Sequence, residues 1–181
     1  WLSLYDSKSG ERGIYNGMSA KKTVEQLNER YKDGDGNTIL RRATREDFGT
    51  NPCSEIILRS REFCNLSECV VRREDTRESL KEKVRTAAIL GTFQSTLTEF
   101  KYLSREWKKN CDEERLLGVS LTGIMDNPLT NGSKKGLDTL LEELRDIAYE
   151  TNKEWADKLG IPVSAAITCV KPSGTVSQLV D

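Results

Sequence analysis

Three residues with chemically active side chains, Asn51, Cys53 and Glu55, alternate in the segment FGTNPCSEI. Gly49 and Pro52 favour a loop at this point of the chain. In an extended backbone, side chains two residues apart project to the same side, so an amide, a thiol and a carboxylate would converge. Such a trio can anchor a hydroxylated ligand, abstract a proton through Glu55, and perform one-electron or nucleophilic chemistry at Cys53. Taken alone, the residues favour a plainer interpretation, a buried cysteine in a tight loop whose polar neighbours bond the backbone.

A second polar motif, KPSGTVS, occupies residues 171–177 and follows an apolar segment. Gly174 allows backbone N–H groups to turn inward before a predicted helix start. The hydroxyls of Ser173 and Thr175 can donate to phosphate oxygens at such a turn. On its own the motif is a weak signal, because a plain turn between a strand and a helix has the same composition.

The composition restricts the other chemistry that is open to the chain. Among 181 residues, 28 Lys and Arg stand against 29 Asp and Glu, so no sequence-wide field exists to bind a nucleic acid or an anionic membrane. Histidine is absent, which excludes His-dependent nucleophiles and His-ligated zinc sites. Five cysteines without CxxC spacing fit neither a disulfide framework nor a zinc ribbon, and they indicate a reducing cytoplasm. We expect no metal site and no nucleic-acid or membrane partner.

Helical and extended patterns alternate around these motifs. Apolar residues at steps of three and four predict a helix over 137–159, and polar or charged helices are predicted over 19–31 and 104–115. A capping pattern at Asp75 and Glu78 predicts a long helix that reaches about residue 102. Its predicted buried stripe consists of Leu80, Val84, Ala87, Ala88 and Gly91. Short Val-, Ile-, Leu- or Thr-rich segments predict strands at 55–59, 64–72, 117–123 and 163–170. This alternation implies an α/β architecture.

The cysteines outside the first cluster have structural interpretations. Cys69 lies five residues after Cys64, so on one strand the two side chains would face opposite sides and could not pair. Cys111 lies in a charged predicted helix, and Cys169 lies in the apolar segment before the second motif. We expect Cys69, Cys111 and Cys169 to be structural or incidental thiols.

Several separated motifs, in order along the whole chain, resemble one enzyme family. NPCSEI, with Cys64 eleven residues after Cys53 in FCNLSECVV, resembles the active-site finger loop of the adenosylcobalamin-dependent ribonucleotide reductases. WLSLYDSKSGERGIYN, RLLGVSLTGIMDN and KPSGTVSQLVD are similar to stretches from the second half of that family's catalytic barrel. FCNLSECVVR is most similar to the monomeric ribonucleoside-triphosphate reductases of this family.

The resemblance implies a role for each residue of the first cluster. Cys53 matches the cysteine that becomes a thiyl radical and removes the 3′ hydrogen of the ribose, and Glu55 matches the base for the 3′ hydroxyl. Asn51 matches the amide that bonds the ribose hydroxyls, and Cys64 matches one of two reducing cysteines that end as a disulfide. The other reducing cysteine is expected upstream of Trp1. The similar phosphate loop implies substrate binding at Pro172, Ser173, Gly174, Thr175, Val176 and Ser177.

The resemblance also implies a fold, a reaction and a cofactor. Ribonucleoside triphosphates would be reduced to 2′-deoxyribonucleoside triphosphates, with adenosylcobalamin as the source of a 5′-deoxyadenosyl radical that oxidises Cys53. Residues 1–181 would contribute part of the second half of a ten-stranded α/β barrel, with the finger loop at about 48–64 and the phosphate loop at about 171–177. Most cobalamin contacts, the site for dNTP effectors and the cysteines that exchange with a thioredoxin-type reductant are expected outside these residues.

Three alternatives remain open from the sequence. The first is a reductase of ribonucleoside diphosphates, dependent on cobalamin or on a separate radical-generating subunit, although the spacing of Cys53 and Cys64 favours the cobalamin class by resemblance. The second is a nucleotide-binding module without chemistry, which would use the turn at 173–175 and an inert Cys53. The third is a structural interaction domain that uses the leucine-striped helix over 137–159.

Overall fold

The structure of the protein, a computed structural model, describes residues 2–8, 13–172 and 176–180. The helices in this part of the chain are α1 Leu2–Ser7, α2 Gly17–Asn28, α3 Arg77–Gln94, α4 Arg105–Glu114, α5 Leu137–Leu159 and α6 Ser177–Val180. The strands are β1 Phe48–Thr50, β2 Ile57–Arg59, β3 Asn65–Val70 and β4 Leu117–Thr122, and a 3₁₀ turn covers Ile124–Asp126. The described part of the chain is a mixture of helices and strands, as the predicted α/β class requires. No described helix is long and apolar enough to span a membrane.

The strands form two small sheets with different connections. β1 and β2 are an antiparallel hairpin in which Thr50 pairs with Ile57. β3 and β4 are parallel and pair from Asn65 with Leu117 to Val70 with Thr122. Parallel strands need a crossover connection, and α3 followed by α4 supplies it.

The strand predicted at 163–170 is wrong in its extent. Only part of this segment follows β4, through a parallel bridge of Thr168 with Val119 and hydrogen bonds such as Cys169 N to Val119 O at 3.0 Å. The backbone before it is bonded to side chains: Ser164 N donates to Asn152 Oδ1 at 2.9 Å, and Ser164 O accepts from Tyr31 Oη at 2.6 Å. Because these groups are occupied by side chains, they are not free to extend a strand ladder.

The main core lies between the parallel pair and helices α3 and α5. Leu80, Val84 and Ala88 of α3 are buried against Leu140 and Leu144 of α5. The predicted stripe of α3 is confirmed, and at Gly91 an added Cβ would lie 3.4 Å from Leu117 Cδ2, so the helix approaches β4 closely there. The bounds of α5 agree with the predicted range 137–159, and α2 and α4 confirm the two shorter predicted helices with small shifts at their ends.

Both ends predicted for α3 are wrong. The N-cap is Thr76, whose hydroxyl accepts from Ser79 N at 3.2 Å, whereas Asp75 lies one residue earlier and accepts from Ser79 Oγ at 2.7 Å. The helix ends at Gln94, well before residue 102. Ser95 and Thr96 donate their hydroxyls to backbone carbonyls three residues back, at 2.7 Å each, and such local bonds compete with continued helix.

A buried cluster of ion pairs joins the hairpin to α4. The Arg42 side chain is 1% exposed, and its Nε lies 2.7 Å from Glu114 Oε2. Arg42 Nη2 lies 3.4 Å from Glu62 Oε2, and Arg59 Nε lies 2.9 Å from Glu114 Oε1. The Arg42 carbonyl accepts from Asn28 Nδ2 at 2.8 Å, so α2 is attached to the same cluster. These contacts fix the base of the β1–β2 hairpin.

Candidate functional site

The loop of the β1–β2 hairpin carries the first predicted cluster. Ser54 N donates to Asn51 O at 3.0 Å, and Ile56 N donates to Asn51 Oδ1 at 3.1 Å, so the loop closes as a turn. Ser54 has a φ of 64°, in the left-handed region. The extended backbone expected for residues 51–55 is therefore wrong, because the Asn51 side chain caps the turn. The turn leaves Cys53 exposed at the tip.

Asn51, Cys53 and Glu55 nevertheless converge, through a residue that the sequence did not assign to them. Lys171 Nζ lies 3.0 Å from Glu55 Oε1, and the ammonium group also interacts electrostatically with Cys53. The Asn51 side chain interacts with Glu55 as well. The Glu55 side chain is only 3% exposed, and that of Lys171 is 21% exposed. An exposed thiol and a buried carboxylate thus share one ammonium partner.

The surroundings of Glu55 favour its ionised form. Burial raises the pKa of Glu55, but the interactions with Lys171, the backbone and Asn51 outweigh it and hold the pKa below its ordinary value. The interaction with Glu55, and then that with Cys53, raises the pKa of Lys171. At neutral pH the pair is therefore a carboxylate and an ammonium group. A carboxylate in this position can accept a proton.

Cys64 lies in a small apolar cluster behind the hairpin, with Ile56, Leu116, Ala165 and Cys169. Burial, with smaller contributions from Cys169 and Glu55, raises the pKa of Cys64 to about 12. Burial, followed by Glu55, raises the pKa of Cys169 to about 11. Both thiols are thus protonated at neutral pH, so Cys64 can give up a hydrogen. Cys169 lies beside Cys64, a neighbour that the sequence did not predict.

The remaining cysteines are away from this cluster. Cys69, on β3, is buried in the main core, whereas Cys64, which precedes β3, belongs to the smaller cluster, so the two thiols lie in different clusters. Cys111 is buried in α4. Within the described ranges, no group of three His, Cys, Asp or Glu side chains could hold a metal ion.

The second motif begins next to the hairpin loop. Lys171 N donates to Ser120 Oγ of β4 at 2.9 Å, so the start of the motif is bonded to the parallel sheet while its side chain reaches Glu55. Ser173, Gly174 and Thr175 lie outside the described residues, and so does the Ser177 side chain, although its backbone begins α6. Pro172 is exposed and Val176 is partly buried, but their predicted role in substrate binding remains a prediction.

A cavity of about 510 Å³ lies on the α2 side of the hairpin loop. Asn51, Pro52 and Ser54 line it, facing Tyr15 and Asn16. Its volume is in the range of small-molecule sites. One sequence feature pointed to the residues that face the loop across this cavity: the segment ending in ERGIYN is similar to the enzyme family. No residue of that segment was assigned to the site from the sequence.

Comparison with known proteins relates this chain to one group of enzymes. Over 130 residues, or 72% of the chain, the sequence is 34% identical to the adenosylcobalamin-dependent ribonucleoside-triphosphate reductase of Euglena gracilis. It is 28% identical over 199 residues, with 94% of the chain covered, to the enzyme of the same name from Lactobacillus gasseri. A crystal structure of a B12-dependent (class II) ribonucleotide reductase matches 72% of the chain with a TM-score of 0.57 and 25% identity. No family model matches the sequence.

The matched proteins are all much longer than this chain. The chain spans 17% of the Euglena gracilis relative, 25% of the Lactobacillus gasseri relative and 21% of the solved structure.

Proposed function

The chain belongs to the family of the adenosylcobalamin-dependent ribonucleotide reductases, and from this premise we propose that it carries the thiol site of a ribonucleoside-triphosphate reductase. The convergence of Cys53, Glu55 and Lys171 at the hairpin loop is the observation that carries this proposal. The reaction would convert ribonucleoside triphosphates to 2′-deoxyribonucleoside triphosphates, which are DNA precursors.

In the proposed mechanism, Cys53 exchanges a hydrogen atom with C3′ of the ribose. A thiol S–H bond and the ribose C3′–H bond have comparable strengths, so the exchange is nearly balanced in energy. Glu55, a carboxylate at neutral pH, takes the proton of the 3′ hydroxyl while the C2′ hydroxyl departs. General acid–base help of this kind contributes about 10² to 10⁴ in rate. Asn51 holds the ribose hydroxyls beside the carboxylate.

Cys64 supplies part of the reducing equivalents in this scheme. Its thiol is protonated at neutral pH, because burial raises its pKa to about 12, so it can donate the proton with which the 2′ hydroxyl leaves as water. Together with a cysteine supplied from elsewhere in the enzyme, it gives two electrons to the sugar and ends as a disulfide. A thioredoxin-type reductant then restores the two thiols by disulfide exchange.

The residues of this chain fit a radical source that is held mainly by other parts of the enzyme. The Cys53 thiol is exposed at the tip of the hairpin loop, where an external group can reach it. Adenosylcobalamin supplies, when bound, a 5′-deoxyadenosyl radical by homolysis of its Co–C bond. Cys53 is the residue of this chain that would react with that radical.

The rest of the assignment follows the family. We propose that residues 1–181 form part of a ten-stranded α/β barrel, with the finger loop at about 48–64 and the substrate phosphates bound at about 171–177. The hydrogen bond from Lys171 N to Ser120 brings the start of that second segment to the sheet beside the finger loop. Sites for dNTP effectors would lie elsewhere in the enzyme, and we propose a cytoplasmic location.

Adenosylcobalamin dependence tests the proposed function. With the full-length protein, a ribonucleoside triphosphate and a dithiol reductant, we expect deoxyribonucleotide formation that requires added adenosylcobalamin. The measurement is the product formed with and without the cofactor, using triphosphates and diphosphates in parallel. Undiminished turnover without the cofactor would reject the cobalamin class, and faster reduction of diphosphates would replace the triphosphate assignment.

A further inference from the structure

Lys171 has no role in the mechanism described above, although it is the first residue of the second motif. Its side chain points to the finger loop, where Nζ lies 3.0 Å from Glu55 Oε1 and the ammonium group interacts electrostatically with Cys53. Its backbone N–H is bonded to Ser120 Oγ at 2.9 Å, and Ser120 is 2% exposed in the interior of β4. The lysine is therefore fixed at both ends, by the sheet and by the loop.

The electrostatic problem at this point is a buried carboxylate. The Glu55 side chain is 3% exposed, and burial alone would favour its protonated form. Among the described groups that interact with it, Asn51 is neutral, and Cys64 and Cys169 are protonated thiols at neutral pH. Lys171 is the cation of this set. The ammonium group offsets the cost of keeping Glu55 charged.

We propose that Lys171 is a positioning residue of the reaction, whose ammonium group keeps the Glu55 carboxylate ionised and oriented beside Cys53. This inference rests on the proposed function, since it concerns how the proposed base is prepared. The lysine acts through Glu55 and does not itself transfer a proton to the substrate. Because it interacts with both side chains, it also links the proposed base to the thiol.

The inference predicts a shift in pH dependence when the charge is removed. In the full-length enzyme, Lys171→Met leaves Glu55 with burial but without its cation, so the pKa of Glu55 rises. The acidic limb of the kcat/KM profile should then move to higher pH by about one to three units, the usual effect of losing an adjacent opposite charge. Lys171→Arg keeps the charge and should keep the limb close to that of the wild type. The measurement is kcat/KM against pH for all three proteins.

A surface pair provides the matched control. Lys158 Nζ lies 2.6 Å from Glu154 Oε1 on α5, and the Lys158 side chain is 52% exposed. Lys158→Met removes a lysine–glutamate pair of similar length, and it should leave the pH profile unchanged. If Lys171→Met has a lower rate but its acidic limb does not shift, the lysine has only a structural role. That result would overturn the inference.

A double-mutant cycle gives a second test that does not depend on the full profile. If Lys171 acts through Glu55, adding Lys171→Met to Glu55→Gln should cause little further loss of kcat/KM, whereas a full additional loss contradicts the inference. If Lys171→Met does not accumulate in folded form, Lys171→Gln takes its place, with the same shift expected and an unshifted limb again contradictory. An inactive wild type with adenosylcobalamin would instead refute the proposed function.

Discussion

Replacing Cys53 by serine in the full-length protein should abolish deoxyribonucleotide formation while nucleotide affinity is retained. A serine O–H bond is much stronger than the ribose C3′–H bond, so the hydroxyl cannot take part in a balanced exchange of a hydrogen atom. We expect a loss of turnover of at least about 10⁴-fold, the size seen when a central catalytic group is removed. The measurement is product formation with adenosylcobalamin, beside equilibrium binding of the triphosphate.

The position of Cys53 indicates that this substitution leaves the stability of the fold nearly unchanged. Cys53 is exposed at the loop tip, and an exposed substitution of similar size usually changes the free energy of unfolding by no more than about 0.5 kcal/mol. Cys111→Ala is the matched control, because it removes a thiol that is buried in α4 and outside the site, and it should retain turnover. Reduction that survives Cys53→Ser would favour a nucleotide-binding module without chemistry.

The second large effect is expected on stability, from Arg42→Met. This change leaves Glu62 and Glu114, whose side chains are 0% and 2% exposed, with Arg59 as their ion-pair partner among the described residues. Breaking a buried ion pair from one side typically costs about 3–5 kcal/mol, because the remaining charge stays buried. The measurement is the free energy of unfolding of the full-length protein in denaturant, taken from the transition in which the β1–β2 hairpin unfolds.

The pH dependence of this loss has a definite sign. Burial raises the pKa of Glu114, and the guanidinium groups of Arg42 and Arg59 oppose that effect. When a carboxyl pKa is higher in the folded than in the unfolded state, the free energy of unfolding falls as pH rises through the folded-state pKa. Removing Arg42 increases this fall. The deficit of Arg42→Met should therefore shrink at acid pH, where the Glu114 carboxyl protonates.

An exposed ion pair provides the comparison for Arg42. Arg61 pairs with Glu106 on the surface, with side chains 51% and 49% exposed. Arg61→Met should cost less than about 1 kcal/mol, since exposed pairs contribute little. A deficit for Arg42→Met no larger than this, and independent of pH, would contradict the role given to the buried cluster.

The features that the sequence predicted best are those fixed by local pattern. The range 137–159 matches α5 because apolar residues recur at steps of three and four, and because Gly160 ends the helix with a φ of 65°. The buried stripe of α3 follows from the same periodicity, but its end at Gln94 depends on hydroxyl bonds that compete with the helix. The strand at 163–170 was overestimated because Asn152 and Tyr31 bind its first residues from distant elements.

The parts of the site that the sequence missed are long-range and electrostatic. The motif around Cys53 indicated a loop at this point of the chain, but the turn through Ser54, with its positive φ, was not expected from alternate spacing. The pair of Lys171 with Glu55 links positions far apart in the chain, and no periodicity encodes such a contact. Arg42 was missed for a related reason, since a charged residue in sequence is ordinarily placed on the surface.

A single turnover without external reductant tests the central claim most directly. The reduced full-length protein is mixed anaerobically with adenosylcobalamin and a ribonucleoside triphosphate, quenched in acid, alkylated and mapped by mass spectrometry. We predict that Cys64 is found in a disulfide in proportion to the deoxyribonucleotide formed, while Cys53 is recovered as a free thiol. Product formed with Cys64 still fully reduced, or with Cys53 in the disulfide, would contradict this account of the site.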